Sequence, residues 1–111
     1  ASHFELGNLT ALVDNNRVQA DGHTKEIMNV EPIGEKWESF GWVTHRIDGN
    51  DMSELVDALD AALDDQDRPH VLVCDTVMGK GVPFIEQRPK GHFVRVEEDE
   101  WQKAIDELQN A

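Results

Sequence analysis

Thiol chemistry is almost absent from this chain. Cys74 is the single cysteine among 111 residues, so an internal disulfide framework is excluded and a four-thiolate zinc site cannot be built. Long hydrophobic runs are missing too. Stretches such as Val71-Leu72-Val73-Cys74 fall far short of the roughly 20 apolar residues that cross a bilayer as a helix. No basic patch followed by an apolar block stands at the N-terminus, so a secretory signal is not expected and the cytoplasm is the expected compartment. Positive charge is scarce: 10 Lys and Arg face 23 Asp and Glu, a formal charge of −13. A surface that acidic repels phosphate backbones and anionic lipids, which argues against nucleic-acid and membrane partners. No Gly-x-Ser-x-Gly elbow, Cys-x-x-Cys pair or His-Glu-x-x-His helix occurs.

What is present has the size of one small domain, without internal repeats, low-complexity stretches or a Ser/Gly linker. Leu9 to Val13 predicts a short buried strand closed by a polar Asp14-Asn15-Asn16 loop. Before it, Ser2 to Leu6 reads as the tail of a helix with Gly7 at its C-cap, so the natural domain is expected to extend upstream. Ile33, Trp37 and Phe40 repeat at helical spacing, and Gly41 ends that helix. Trp42 to Ile47 alternates as a strand. Asp51 and Glu54 form a capping-box pattern ahead of Met52, Leu55, Val56, Leu59 and Leu63, the clearest helix of the chain. His70 to Val77 predicts a strand buried on both sides. Trp101, Ala104, Ile105 and Leu108 mark a last amphipathic helix, with acid in its first turn. This alternation is the signature of an α/β fold with a mostly parallel sheet flanked by helices.

In such sheets ligands sit beyond the C-terminal strand ends, which singles out the loops 14–22 and 79–92. In the first, Asn amides offer neutral oxygens to a hard cation such as Mg2+, while an Asx turn is the structural alternative. In the second, Gly79-Lys80-Gly81 lacks the spacing of a P-loop. Of five histidines, His23 and His92 fall in these loops, where an imidazole can shuttle protons or hold phosphate. His45 and His70 lie in strands and read as structural, and Cys74 reads as a buried, inert thiol.

Several motifs in register resemble the thiamine-diphosphate segment of transketolases. Leu6-Gly-Asn-Leu-Thr-Ala-Leu-Val-Asp-Asn-Asn-Arg-Val-Gln-Ala-Asp-Gly22 is similar to the family's Leu-x-Asn-Leu strand, Asp-Asn-Asn-Arg/Lys turn and closing Asp-Gly. Lys36-Trp37-Glu38-Ser39-Phe40-Gly41-Trp42 resembles Lys-Trp/Tyr-x-x-Phe/Tyr-Gly-Trp. Asp48-Gly49-Asn50-Asp51 resembles Asp-Gly-His/Asn-Asp, and Asp75 to Phe84 resembles Thr-x-Lys-Gly-Lys-Gly-Val-x-Phe. The likeness runs in order from about residue 2 to residue 108.

The resemblance implies that residues 1–111 are part of a diphosphate-binding domain. The implied enzyme transfers a two-carbon ketol unit from a ketose to an aldose, in carbohydrate metabolism. It implies thiamine diphosphate and Mg2+ as cofactors, with the Asn16 side chain and the Val18 carbonyl as metal ligands. Ala20 falls where the family packs an apolar residue against the cofactor. His92 falls at the family's Trp-His-Gly histidine, near the cofactor phosphates and the substrate, with Gly91 and Phe93 replacing its neighbours. The family's metal-binding Asp belongs to a Gly-Asp-Gly motif upstream of the Asn, and no Gly-Asp-Gly occurs here. The implied partners are therefore an upstream segment and a pyrimidine-binding domain or subunit carrying the activating Glu, in a homo- or hetero-oligomer. Alternatives are a deoxyxylulose-phosphate synthase or dehydrogenase E1 component, or a non-catalytic acidic α/β interaction module that keeps the scaffold.

Overall fold

A computed structural model describes residues 1–88, 92 and 95–110. The described chain forms two compact units, one of residues 1–16 and 30–76, the other of residues 17–29 and 77–111.

The first unit is built on three parallel strands. They are β1 (Thr10–Asn15), β4 (Val43–Asp48) and β5 (His70–Asp75), in the order β1-β5-β4. The register places Leu12 beside Leu72 and Leu72 beside His45, and ends with Asn15, Asp75 and Asp48 in one row. The central strand is the apolar one: Val71, Leu72 and Val73 have no exposed surface. This agrees with a strand covered on both faces. Alternation splits the sheet into two faces. Helix α3 (Met52–Asp64) covers one, packing Leu55, Ala58 and Leu59 on Ile47, Leu72 and Cys74. Helix α2 (Ile33–Ser39) packs along β4, where Gly34 approaches the Thr44 methyl on the other face.

The parallel α/β expectation holds, and the differences are local. β1 begins at Thr10 and runs on to Asn15, so Asp14 and Asn15 belong to the strand and not to a loop. β4 is Val43–Asp48 and β5 stops at Asp75. Ser2–Phe4 is a single 3-10 turn, and Glu5, not Gly7, takes the left-handed conformation after it, with φ 51°. Gly7 is required for another reason. A Cβ there would lie 1.5 Å from the Gln66 carbonyl oxygen. Phe40 is not core but 74% exposed, while Trp37 packs edge-to-face on Trp42 at 4.7 Å. Asp51 caps α3 by accepting the Ser53 and Glu54 N–H groups at 2.8 and 3.2 Å. Glu54 does not complete the box; its carboxylate takes the Asp48 N–H instead, at 2.8 Å.

The second unit carries a hairpin that periodicity did not show: β2 (Val18–Gln19) pairs antiparallel with β3 (Gly22–His23) and leads into the one-turn helix α1 (Thr24–Ile27). Helices α4 (Pro83–Glu86) and α5 (Glu98–Gln109) complete it. A reciprocal capping box of Glu97 and Glu100 starts α5. Of the predicted apolar stripe on α5 only Ala104 is buried; Trp101, Ile105 and Leu108 are exposed. Arg88 pairs with Glu100, and both Arg88 and Lys103 lie over the Phe84 ring, at 5.5 and 5.0 Å from its centre. Among the described residues no helix is long and apolar enough to cross a membrane.

Candidate functional site

The C-terminal ends of β1, β5 and β4 carry a polar network on the α2 face of the sheet. Asn15 is 7% exposed, and a buried amide needs partners. Its Nδ2 donates to Asp75 Oδ1 at 2.8 Å and to Glu31 Oε1 at 3.3 Å. Two carboxylates around one amide would repel each other. Arg46 separates them: Nε and Nη2 donate to the two Asp75 oxygens at 2.8 and 3.0 Å. Nη2 and Nη1 donate to the two Glu31 oxygens at 2.9 and 3.3 Å. Glu31 also accepts the Ile33 N–H at 2.8 Å, which ties it to the first turn of α2. Its carboxyl is held below the usual range, first by the Arg46 hydrogen bond and then by the Ile33 N–H. The guanidinium's own proton is held more tightly for the same reason, Asp75 first. Arg46 suits the task because its planar fork matches two carboxylates at once.

Around this network the strand ends are tied further. Thr76 Oγ1 donates to Asp14, the Thr76 N–H reaches the Asn15 carbonyl at 3.4 Å, and the Gly49 N–H reaches the Asp75 carbonyl at 2.8 Å.

Asn16 follows directly and is half-buried. Arg17 then turns the backbone at φ 62°, in the left-handed region that a non-glycine residue rarely enters. Val18 opens the hairpin and is half-buried; Ala20, at its tip, is exposed. The Thr24 N–H closes the segment on the Arg17 carbonyl at 2.9 Å, and Gln19 Nε2 donates to the Met28 carbonyl at 3.2 Å. Three of the four predicted site residues, Val18, Ala20 and His92, thus lie in the second unit, and Asn16 closes a stretch of the first. His92 is exposed. Its replaced neighbours Gly91 and Phe93 lie outside the described residues.

The Gly79-Lys80-Gly81 loop is a tight turn. Gly79 and Gly81 have φ of 70° and 91°, and a Cβ on Gly79 would meet Ile85 Cγ2 at 2.4 Å. The Gly81 N–H is taken by Glu86 Oε1 at 2.8 Å.

Chemically, Asn16 and the Val18 backbone offer neutral oxygens, the donor type of a hard cation. The nearby carboxylates of the first unit are already engaged: Asp75 and Glu31 on Arg46, Asp14 on Thr76. No group of three or more His, Cys, Asp or Glu fit to hold a metal occurs among the described residues. By donor type alone, an Asn amide oxygen and a backbone carbonyl are compatible with a hard cation. Reading the sequence missed Arg46 and Glu31 and took Asn15 as one of an Asn pair in a loop, since nothing in their local patterns marks the three as neighbours.

A parallel α/β layer with a polar turn at its strand ends defines the class of protein, and comparison with known proteins gives the family. The profile described as "Transketolase, thiamine diphosphate binding domain" matches residues 1–109, and the chain belongs to that family. It is 50% identical to an uncharacterised transketolase family protein of Sinorhizobium fredii, over 95% of this chain and 38% of that one. It is 37% identical to an apulose-4-phosphate transketolase subunit of Actinobacillus succinogenes, over 99% of this chain and 40% of that one. The crystal structure of transketolase from Campylobacter jejuni superposes with a TM-score of 0.88 at 25% identity, covering 98% of this chain and 17% of that one. The chain thus spans about two fifths of the length of these curated relatives.

Proposed function

We propose that the protein containing this chain is a transketolase that uses thiamine diphosphate and Mg2+, and that residues 1–111 supply part of its diphosphate-binding side. The observation that carries the reading is the turn at residues 16–18. An Asn follows a buried strand end, a left-handed Arg17 stands between it and Val18, and the sequence there resembles the family motif. Asn16 and Val18 hold the cation through neutral oxygens, Ala20 lies against the cofactor, and His92 serves the phosphates or the transferring proton. When bound, the thiazolium supplies an electron sink for the two-carbon unit passing from ketose to aldose. The chain's own task is binding and orientation, because effective molarity depends on where the diphosphate is anchored.

Relatives of similar sequence are named as transketolase subunits: that of A. succinogenes, and a 6-deoxy-6-sulfo-D-fructose transketolase subunit of a Clostridium species at 38% identity. This supports a second subunit bearing the pyrimidine pocket. The test is calorimetry of the complete protein with thiamine diphosphate, with and without Mg2+. Mg2+-dependent binding that Asn16→Ala weakens is expected. Unchanged affinity in that variant removes Asn16 from the site.

A further inference from the structure

The chain passes between its two units three times, after Asn16, after Asn29 and after Thr76. One residue inside each crossing, on the side of the first unit, stands a member of the Arg46 network: Asn15, Glu31 and Asp75. A single guanidinium thus holds, directly or through two carboxylates, the points where segments 17–29 and 77–111 leave the sheet. Those segments carry Val18, Ala20, Lys80 and His92. Asn15 and Asn16 are adjacent, yet Asn15 is spent on the network, its amide donating to Asp75 and to Glu31.

We propose that Arg46 is a positioning residue for the cofactor site, acting through Asp75, Glu31 and Asn15 on the turn at residues 16–18 and on the exit of β5. This rests on the cofactor reading above. The physical reason is pre-organisation. The Asn16 backbone can present its amide in one place only if Asn15 is fixed, and Asn15 is fixed only while its two carboxylate acceptors stay together. Without the guanidinium, Asp75 and Glu31 repel each other across the Asn15 amide and the strand end loses its anchor. A lysine keeps the charge but not the fork, so it restores part of the effect. Removing partners that hold a ligand in place typically lowers metal affinity about 10- to 100-fold.

The experiment uses the complete protein with Mg2+, together with its second subunit if one exists. Variants Arg46→Met and Arg46→Lys are compared for thiamine diphosphate affinity by calorimetry and for backbone hydrogen exchange without cofactor. Arg46→Met is expected to weaken binding about 10-fold or more. It should speed exchange at residues 18–24 and 77–82 while residues 71–73 stay protected, and Arg46→Lys should recover part of both. Affinity within about twofold of the parent, or exchange rising equally in 71–73, overturns the proposal. If Arg46→Met does not fold, the uncharged triple variant Arg46→Met, Glu31→Gln, Asp75→Asn removes the repulsion. It should fold and, with the fork that held the two acceptors together gone, still lose affinity, though less than a charged variant would; parental affinity in it overturns the proposal. Asn16→Ala separates the two ideas. If it leaves affinity unchanged, Asn16 is removed from the site, and the exchange pattern of Arg46→Met still decides whether the network anchors the segments.

Discussion

The two faces of the sheet in the first unit each hold a polar cluster, and they are built on opposite principles. On the α2 face, Arg46, Glu31, Asp75 and Asn15 form a charged network at the C-terminal strand ends, with Arg46 45% exposed. On the α3 face, His45 and His70 meet ring to ring, with His70 only 1% exposed. His45 Nε2 and His70 Nδ1 lie 3.0 Å apart, with the rings 12° from parallel and their centres 5.3 Å apart. That separation across a 3.0 Å contact sets the rings end to end, the geometry of an N–H···N hydrogen bond. His70 Nε2 has no hydrogen-bond partner and lies 3.7 Å from an Asp65 oxygen. One cluster is held by paired charge near water, the other by excluding it. The face built for water exclusion stabilises the fold; the charged end ties the strand ends to the first turn of α2.

The largest expected effect breaks the excluded face. Leu72→Ala removes a side chain with no exposed surface and should cost about 2–5 kcal/mol in urea unfolding. A smaller loss would show that α3 collapses onto the gap. Next comes the charged end. Asp75→Ala removes the shorter of the two Asn15 amide bonds and one side of the Arg46 fork, for about 1–3 kcal/mol. Raising salt toward 1 M should shrink that difference while leaving the Leu72 difference in place, because only the first is electrostatic.

Acid should separate the two clusters on the pH axis. Burial first, and His70 second, lowers the His45 pKa below its ordinary 6.5. The unfolded chain therefore binds that proton more readily. The contribution is intact above 6.5 and falls with pH from there down to the folded value. Glu31 is also lowered, from 4.5, so its contribution is present above 4.5 and lost as pH falls through its folded value. Unfolding free energy should drop in two successive windows, the upper one removed by His45→Phe and the lower by Glu31→Gln. A single window that neither variant changes would refute the assignment. The smallest effect concerns Cys74, whose thiol pKa is pushed up by burial and then by Asp14 and Asp75. Native protein should label with a thiol reagent far more slowly than protein in urea, and equal rates would contradict the water-excluded face.

Much of the α3 face was legible in the residues. The spacing of Leu55, Leu59 and their neighbours, and the unbroken apolar run of β5, gave the helix, the buried strand and the inert Cys74. The parallel class followed from alternation, and the family from motifs in register. Burial was less legible. Phe40 and Trp101 keep helical spacing yet remain exposed, because periodicity names a face and not what covers it. The charged end was not legible at all. Asn15 read as loop, although its amide partner Asp75 lies 60 positions away.

The sequence by itself determined where strands and helices form, because those choices depend on neighbours two to four residues apart. Only the tertiary structure decided that Asn15 bonds Asp75, that Arg46 joins Glu31 to Asp75, and that His45 meets His70. The Asn15–Asp75, Arg46–Asp75 and His45–His70 pairings arise when parallel strands align in one register, and Glu31 joins them from the turn ahead of α2. This arrangement brings together groups between 15 and 60 positions apart, and no local pattern encodes it.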